Sequence, residues 1–236
     1  MTLFGASKTA NALAVEMKET DLGRVVEVRP QSKLETQTKA NLPSNEALQT
    51  AARLRVLLGA TGQMVAVTGV AENDGATQLA SSIATGLAAI TESKVLVIDA
   101  NVNAPRLHEI FGVPMRPGLL EVLEDEAGID RAVRGLDLNN LFVLPLGHSE
   151  STLAAVLSKP ESQSVFDALR KEFRYIVVDT GLVAAGADGV LLAALSDGVV
   201  TAVAAGIRRR HEVLQFQQEL KRLRIPLLGM VLTHGA

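Results

Sequence analysis

MVAVTGVAENDGATQLASSIATGLAAI, residues 64–90, decides how the chain folds. MVAV at 64–67 is an unbroken apolar run, GVAENDGATQ at 69–78 is rich in Gly, Asn and Asp, and Leu79, Ile83, Leu87 and Ile90 recur at helical spacing. A strand, a glycine-bearing turn and a Thr-headed helix make the layout of a phosphate-binding loop. In such a loop, backbone N–H groups and a helix N-terminus face an anion. Gly69, Gly75 and Thr77 fit the ends of a G-x5-G-x-[ST] pattern. The standard G-x4-G-K-[ST] spacing is not met, and Ala76 stands where the lysine belongs. A plain strand-to-helix turn reads the same way, so the loop needs support from the rest of the chain.

Downstream, strand and helix alternate. Strands are predicted at 64–68, 94–98, 141–145, 175–179, 197–203 and 227–232, and helices at 77–91, 106–111, 151–157, 161–172, 187–194 and 208–223. VLVI, YIVV and LFVL carry no polar alternation, as strands covered on both faces require. The expected architecture is α/β: a three-layer, open, mostly parallel sheet flanked by helices, with ligands settling beyond the carboxyl ends of its strands. Three of those ends carry polar loops, at 69–76, 99–105 and 179–188. Two of them begin with an aspartate placed directly after an apolar run, Asp99 in VLVIDANVNAP and Asp179 in YIVVDTG. Asp99, Asp179 and the Thr77 hydroxyl are therefore candidate Mg²⁺ donors. Each aspartate taken alone reads equally well as a turn cap.

Upstream, NEALQTAARLRVLLG at 45–59 is predicted to be a helix, capped by Asn45, ended by Gly59, with Leu48, Ala52 and Val56 on one face. Residues 1–44 read as an N-terminal extension and linker. ALAVEMKE there suggests a short helix, GRVVEVR an extended piece, and QSKLETQTKANLPSN has no pattern. Residues 45–236 are expected to form one α/β domain.

Composition excludes several classes. The 236 residues carry a formal charge of −3, are 21% charged and only 3% aromatic, which suits neither a nucleic-acid surface nor a base-stacking platform. Without cysteine there is no disulfide, thiolate nucleophile or thiolate metal site. No run of about 18 apolar residues suggests a membrane span, and MTLFGASKTANALAVEMKET does not read as a signal peptide. GLVAAGADGVLLAALSDGVVTAVAAGI at 181–207 is broken by Asp188 and Asp197 and reads as buried helix and strand. His108, His148, His211 and His234 have no ligand-like spacing, and GHSES lacks the offsets of a nucleophile elbow. The basic residues of IRRRHEVL and LKRLR, over 208–224, read as the solvated face of the last helix. Tyr175, inside a predicted strand, reads as a core residue.

The whole pattern resembles the bacterial tyrosine kinases of capsule and exopolysaccharide synthesis, a branch of the P-loop ATPases related to division-site-selecting and chromosome-partitioning ATPases. The resemblance covers about 45–233. EALQTAARLR matches a helix that begins Glu-Ala and carries arginines, TGVAENDGAT at 68–77 matches T-S-x-x-x-x-E-G-K-[ST], and IDANVNAP at 98–105 matches I-D-A-D-x-R-x-P. GLLEVLEDE, LFVLPLG with TLAAVLSKP, VVDTGLVAAGADG and LLGMVLT at 227–233 follow in the family's order.

The resemblance implies a P-loop NTPase-like fold with nucleotide contacts at Gly69, Gly75, Ala76, Thr77, Asp99, Asn101, Asp179 and Thr233, and with Mg²⁺ held by Thr77, Asp99 and Asp179. It implies that Glu46, Arg53 and Arg55 serve protein contacts. It also exposes departures. Ala76 replaces the loop lysine and Ala71 a second lysine of the related ATPases. Asn101 stands for an aspartate, Asn103 for an arginine, Gln49 for an arginine, Gly181 for a proline and Thr233 for the asparagine near adenine. The sequence ends in HGA without the tyrosine cluster these kinases phosphorylate.

The expected function is thus that of a non-catalytic kinase-like protein of exopolysaccharide or capsule synthesis or export. It would act by protein contact with a membrane polysaccharide co-polymerase or related export component, or as a homo-oligomer. It would be cytoplasmic, reaching the inner face of the membrane through that partner. No firmly held cofactor is expected, and Mg·ATP or Mg·ADP should bind weakly. The alternatives are an active Mg-dependent ATPase or tyrosine kinase with an atypical phosphate loop, recruiting Lys or Arg from elsewhere, or a partitioning-type ATPase.

Overall fold

The computed structural model describes residues 19–20, 23–27, 43–59, 61–136, 138 and 140–233. All but the last residue of ALAVEMKE lies outside them. The chain opens with β1 (Glu19–Thr20) and β2 (Gly23–Glu27), followed by α1 (Asn45–Leu58), β3 (Met64–Gly69), α2 (Ala76–Ile90) and β4 (Val95–Asp99). Short elements come next: α3 (Leu107–Phe111), α4 (Leu119–Leu123), α5 (Ile129–Ala132), β5 (Arg134–Gly135), β6 (Leu141–Leu144) and α6 (Leu153–Leu157). The last third holds α7 (Pro160–Glu172), β7 (Tyr175–Asp179), α8 (Ala187–Leu195), β8 (Gly198–Ala204), α9 (Arg210–Arg222) and β9 (Leu227–Thr233).

Among the described residues, nine strands form one sheet in the order β1-β2-β9-β8-β3-β7-β4-β6-β5. The inner strands pair parallel, and the two-residue strands at either edge pair antiparallel. GRVVEVR contributes β2, which extends the sheet beside β9. β3, β4, β7 and β8 are buried along their whole length because helices cover both faces. Val65, Val67, Val97 and Val177 meet α1 and α2 on one face, while Met64, Leu96, Ile98 and Val178 meet α4, α6 and α7 on the other. Tyr175 lies in the core as expected, 5% exposed.

Two sequence expectations about α1 need correction. Its N-cap is Ser44, whose hydroxyl accepts the N–H of Ala47 at 3.2 Å, rather than Asn45. Its buried face is Ala47, Thr50, Ala51, Leu54 and Leu58, while Ala52 is exposed and Val56 is 79% exposed. Close approach chose the face. A Cβ on Gly86 of α2 would lie 2.5 Å from the Ala47 carbonyl oxygen and 2.9 Å from the Ala51 Cβ, so only small residues let these helices touch. The short helices α4 and α5 were not predicted. Every α4 residue is buried, which erases the helical period. The Glu121 carboxylate starts α4 instead, accepting from the Gly118 N–H at 2.9 Å, the Arg116 Nε at 2.7 Å and the His148 N–H at 3.2 Å.

At the amino end of the sheet, one side chain ties three elements together. Asp197 Oδ2 accepts from the N–H groups of Gln63 and Met64, each at 2.7 Å, and from Arg170 Nη1 at 3.2 Å. Partial burial opposes its charge, yet those N–H groups and the guanidinium prevail and hold the carboxyl below the usual range. A depressed carboxyl adds stability above its ordinary pKa, and that stability is lost as pH falls through the folded value. Asp197→Ala should cost about 1–2 kcal/mol at pH 7, the worth of charge-assisted bonds at a half-buried site. Urea unfolding checks this. An equal loss at pH 7 and at pH 3 would refute the electrostatic account.

Candidate nucleotide-binding loop and acidic pair

The order β8-β3-β7-β4 brings the three polar loops side by side, because each follows a neighbouring parallel strand. Gly69 to Gly75 turn between β3 and α2, with Asn73 and Gly75 both left-handed, at φ 63° and 81°. No side chain caps α2 at Gly75. Among the described residues the first-turn amides have no side-chain acceptor, the condition a bound anion exploits. Thr77, on this first turn, is 9% exposed.

Asp99 and Asp179 are register partners on β4 and β7, and both are fully buried. They differ in what they hold. Asp99 Oδ1 accepts the Asn101 N–H at 3.2 Å and Oδ2 the Leu107 N–H at 2.9 Å, so this carboxylate organises the loop after β4. Asp179 Oδ1 accepts the Gly181 N–H at 3.3 Å, while Oδ2 has no partner among the described residues. Burial pushes the Asp179 carboxyl up to about 7; the Thr77 hydroxyl and the Gly181 N–H pull down, and the Asp99 charge pushes up. Burial also raises Asp99, against the N–H groups of Leu107, Asn101 and Arg106 and the nearby His108.

These groups fit a Mg²⁺ ion in part. Mg²⁺ in such sites takes one or two protein oxygens and completes its shell with water and phosphate. The unpartnered Asp179 Oδ2 beside the Thr77 hydroxyl supplies that minimum, whereas both Asp99 oxygens are turned to backbone N–H groups. Among the described residues, no group of three or more His, Asp or Glu side chains is arranged around a metal position.

The remaining candidates fall in two places. Asn101 faces the loop after β7: a Cβ on Gly181, which has φ 63°, would lie 2.6 Å from its Oδ1. Gly69 is joined to that loop by its N–H to the Gly181 carbonyl, 3.4 Å. Thr233, at the end of β9, donates its hydroxyl to the Asp74 carbonyl at 2.6 Å and packs against Gly75. Gly69, Gly75, Ala76, Thr77, Asp99, Asn101, Asp179 and Thr233 therefore line one rim of the sheet. Glu46, Arg53 and Arg55 do not join them. They sit on α1 against the far end of α2, where Arg55 Nη1 reaches the Ile90 carbonyl at 3.5 Å. Gly86, the point of helix contact, lies roughly 15 Å along α2 from Ala76.

Two participants went unnoticed in the sequence, Asp74 and Arg208. Arg208 is not on the last helix: it precedes α9 and turns into the loop, where Nε donates to Asp74 Oδ1 at 2.6 Å and Nη2 to the Glu72 carbonyl at 2.6 Å. A cleft of ≈ 430 Å³ beside it is walled by Val70, Ala71, Glu72, Leu182, Ala184 and Arg208. Asp74 was at least inside the quoted loop, but nothing periodic singles out one arginine of IRRRHEVL.

Comparison with known proteins shows what the chain is similar to. No protein-family model matches the chain. It is 26% identical over 136 residues to the tyrosine-protein kinase ptk of Acinetobacter johnsonii, covering 58% of this chain and 18% of that protein. It is 26% identical over 181 residues to the succinoglycan biosynthesis transport protein ExoP of Rhizobium meliloti, covering 75% of this chain and 23% of that one. It is 28% identical over 171 residues to the tyrosine-protein kinase CpsD of Streptococcus pneumoniae, covering 72% of this chain and 75% of that one. Its homologues are the bacterial tyrosine kinases of capsule and exopolysaccharide synthesis.

The chain spans about a fifth of the length of the first two homologues and three quarters of the third. Solved structures bear out the fold expected from that tyrosine-kinase resemblance. The chimerical protein CapA2B2 superposes with a TM-score of 0.75 at 21% identity, covering 80% of this chain and 83% of that one. The kinase domain of Escherichia coli tyrosine kinase ETK gives 0.72 at 20%, covering 81% and 76%. The MinC:MinD cell division complex of Aquifex aeolicus gives 0.61 at 19%, covering 72% and 68%. The sheet is thus that of the P-loop kinase domains and the MinD-like ATPases.

Proposed function

We propose that the chain is a non-catalytic, tyrosine-kinase-like component of bacterial capsule or exopolysaccharide synthesis or export, working through protein contacts. The carrying observation is the charge balance at the loop. Three buried carboxylates, Asp74, Asp99 and Asp179, stand on this rim, while Ala71 and Ala76 occupy the two lysine positions. One basic side chain that does reach the loop, Arg208, is spent on Asp74 and the Glu72 carbonyl. Phosphoryl transfer depends on preorganised positive charge around the transferring group, and loss of one well-placed donor costs about 10²–10³ in rate.

A second reading keeps some nucleotide binding without turnover. The unpartnered Asp179 Oδ2 beside Thr77 supports it, since a Mg²⁺-bearing nucleotide would satisfy that oxygen. Titration calorimetry with Mg·ATP, paired with a phosphate-release assay, separates this from a working enzyme. The affinity should be poorer than about 100 µM, the weak part of the usual substrate range. Phosphate release by the pure protein would sink the non-catalytic reading, and a low-micromolar dissociation constant would sink the expectation of weak binding.

The partner fitting this reading is a cytoplasmic segment of a membrane polysaccharide co-polymerase or related export component, with self-association as the alternative. α1 supports it. Val56 and Ala52 are exposed on its outer face beside Arg55, away from the loop. Such docking would hold the protein at the inner face of the membrane. No described helix is long and apolar enough to cross it.

A further inference from the structure

The Asp74 side chain is fully buried although it lies in a surface turn, and its ion-pair partner Arg208 is 18% exposed. A buried carboxylate must be met on both oxygens or its charge is lost. Oδ2 takes the Ala71 N–H at 2.9 Å, across the turn. Oδ1 takes Arg208 Nε, which comes from the loop between β8 and α9, 134 residues later. The same guanidinium donates to the Glu72 carbonyl, so it grips the turn on both sides of Asn73. Asn73 and Gly75 are left-handed, a conformation glycine takes freely and asparagine more readily than other side chains, so the turn's two ends are free to come within reach of one guanidinium. Thr233 closes the other flank through the Asp74 carbonyl.

We infer that Arg208 is a latch: its ion pair with Asp74 and its bond to the Glu72 carbonyl hold the 69–75 turn in its shape. The loop that carries Arg208 is itself fixed to the sheet, with the Arg208 and Ile207 N–H groups on the Ala204 carbonyl and the Ala205 N–H on Thr233. The guanidinium therefore arrives from a rigid base. An internal anion, Asp74, and an internal cation, Arg208, shape the turn between them. A group entering at Ala71 must first displace the Asp74 carboxylate from that N–H.

Hydrogen–deuterium exchange on the whole chain tests this with neither nucleotide nor partner, so its outcome is separate from the calorimetry that tests the proposed function. In Arg208→Gln and in Asp74→Asn, amides of 70–75 should exchange at least tenfold faster than in the parent. The double variant should be no faster than either single one, because both remove the same contact. Arg208→Lys, which keeps the charge but cannot span Asp74 and the Glu72 carbonyl together, should fall between. Amides of β4 and of the second half of α2 should keep their parent rates. Unchanged exchange at 70–75 would overturn the latch. So would equal acceleration of 70–75 and β4, which would make the pair a general stabiliser of the fold.

Discussion

Asp179→Asn should make the protein more stable at pH 8, by about 2–4 kcal/mol or roughly 5–15 °C in Tm. The native carboxyl is fully buried, its Oδ2 has no partner among the described residues, and burial raises it to about 7, well above the ordinary aspartate range. Its folded pKa is raised, so between about pH 4 and pH 7 the folded state holds a proton that the unfolded state has released. Stability therefore falls as pH rises through that window and is level above it. An amide has no charge to desolvate, and the loss it avoids is greatest above pH 7. The advantage of the variant should shrink by more than half at pH 5. Thermal unfolding of both proteins at the two pH values measures this. A variant less stable than the parent at pH 8, or a difference independent of pH, would show that Asp179 is satisfied in solution by something other than the described residues. A carboxylate that destabilises the fold is what a binding site retains and a structural core discards.

Ala76→Lys should tighten Mg·ATP binding by about 10- to 100-fold, the 1.5–3 kcal/mol of a charge-assisted hydrogen bond, while turnover stays at background. Ala76 is the first residue of α2, half-buried and next to Thr77, so a side chain there emerges at the end of the helix where the amides are uncapped. An ammonium about 4 Å from a phosphate oxygen at an intermediate dielectric gains about 4 kcal/mol, part of which is lost to desolvation and side-chain ordering. Binding of this kind acts on ground state and transition state alike and does not lower the chemical barrier. The loop after β4 still offers Asn101 and Asn103, neither of which carries a charge. Calorimetry paired with a phosphate-release assay separates the two effects. A hundredfold rise in turnover from this single change would mean that the other substitutions are cosmetic, and the non-catalytic proposal would fail.

Local pattern in the chain was enough for the main strands and helices, though not for α4, α5 or β5, and for the end of the sheet where the polar loops gather. That information is local: VLVI, YIVV and LFVL announce strands covered on both faces, and Asp99 and Asp179 follow them directly. Parallel pairing then leaves little choice, since strands joined by helices must place all their carboxyl ends on one rim. Asp99, Asp179, Asn101 and Thr77 fall on that rim from the strand ends alone, whereas Thr233 is placed there only through the family resemblance.

Tertiary structure alone decided which groups on the rim are committed and which are not. Asp99 and Asp179 look alike in sequence, yet one has both oxygens on backbone N–H groups and the other leaves Oδ2 bare. Ser44, Ala47 and Ala51, rather than Asn45, Ala52 and Val56, define the start and inner face of α1, because a backbone contact at Gly86 selects small residues over apolar ones. Arg208 reads as one more solvated arginine, but it closes a turn that lies 134 residues earlier. Contacts between residues so far apart leave no period and no local propensity in the chain. They exist only once the parallel sheet has laid the end of β8 beside the end of β3, and burial of Asp74 then makes one particular guanidinium necessary.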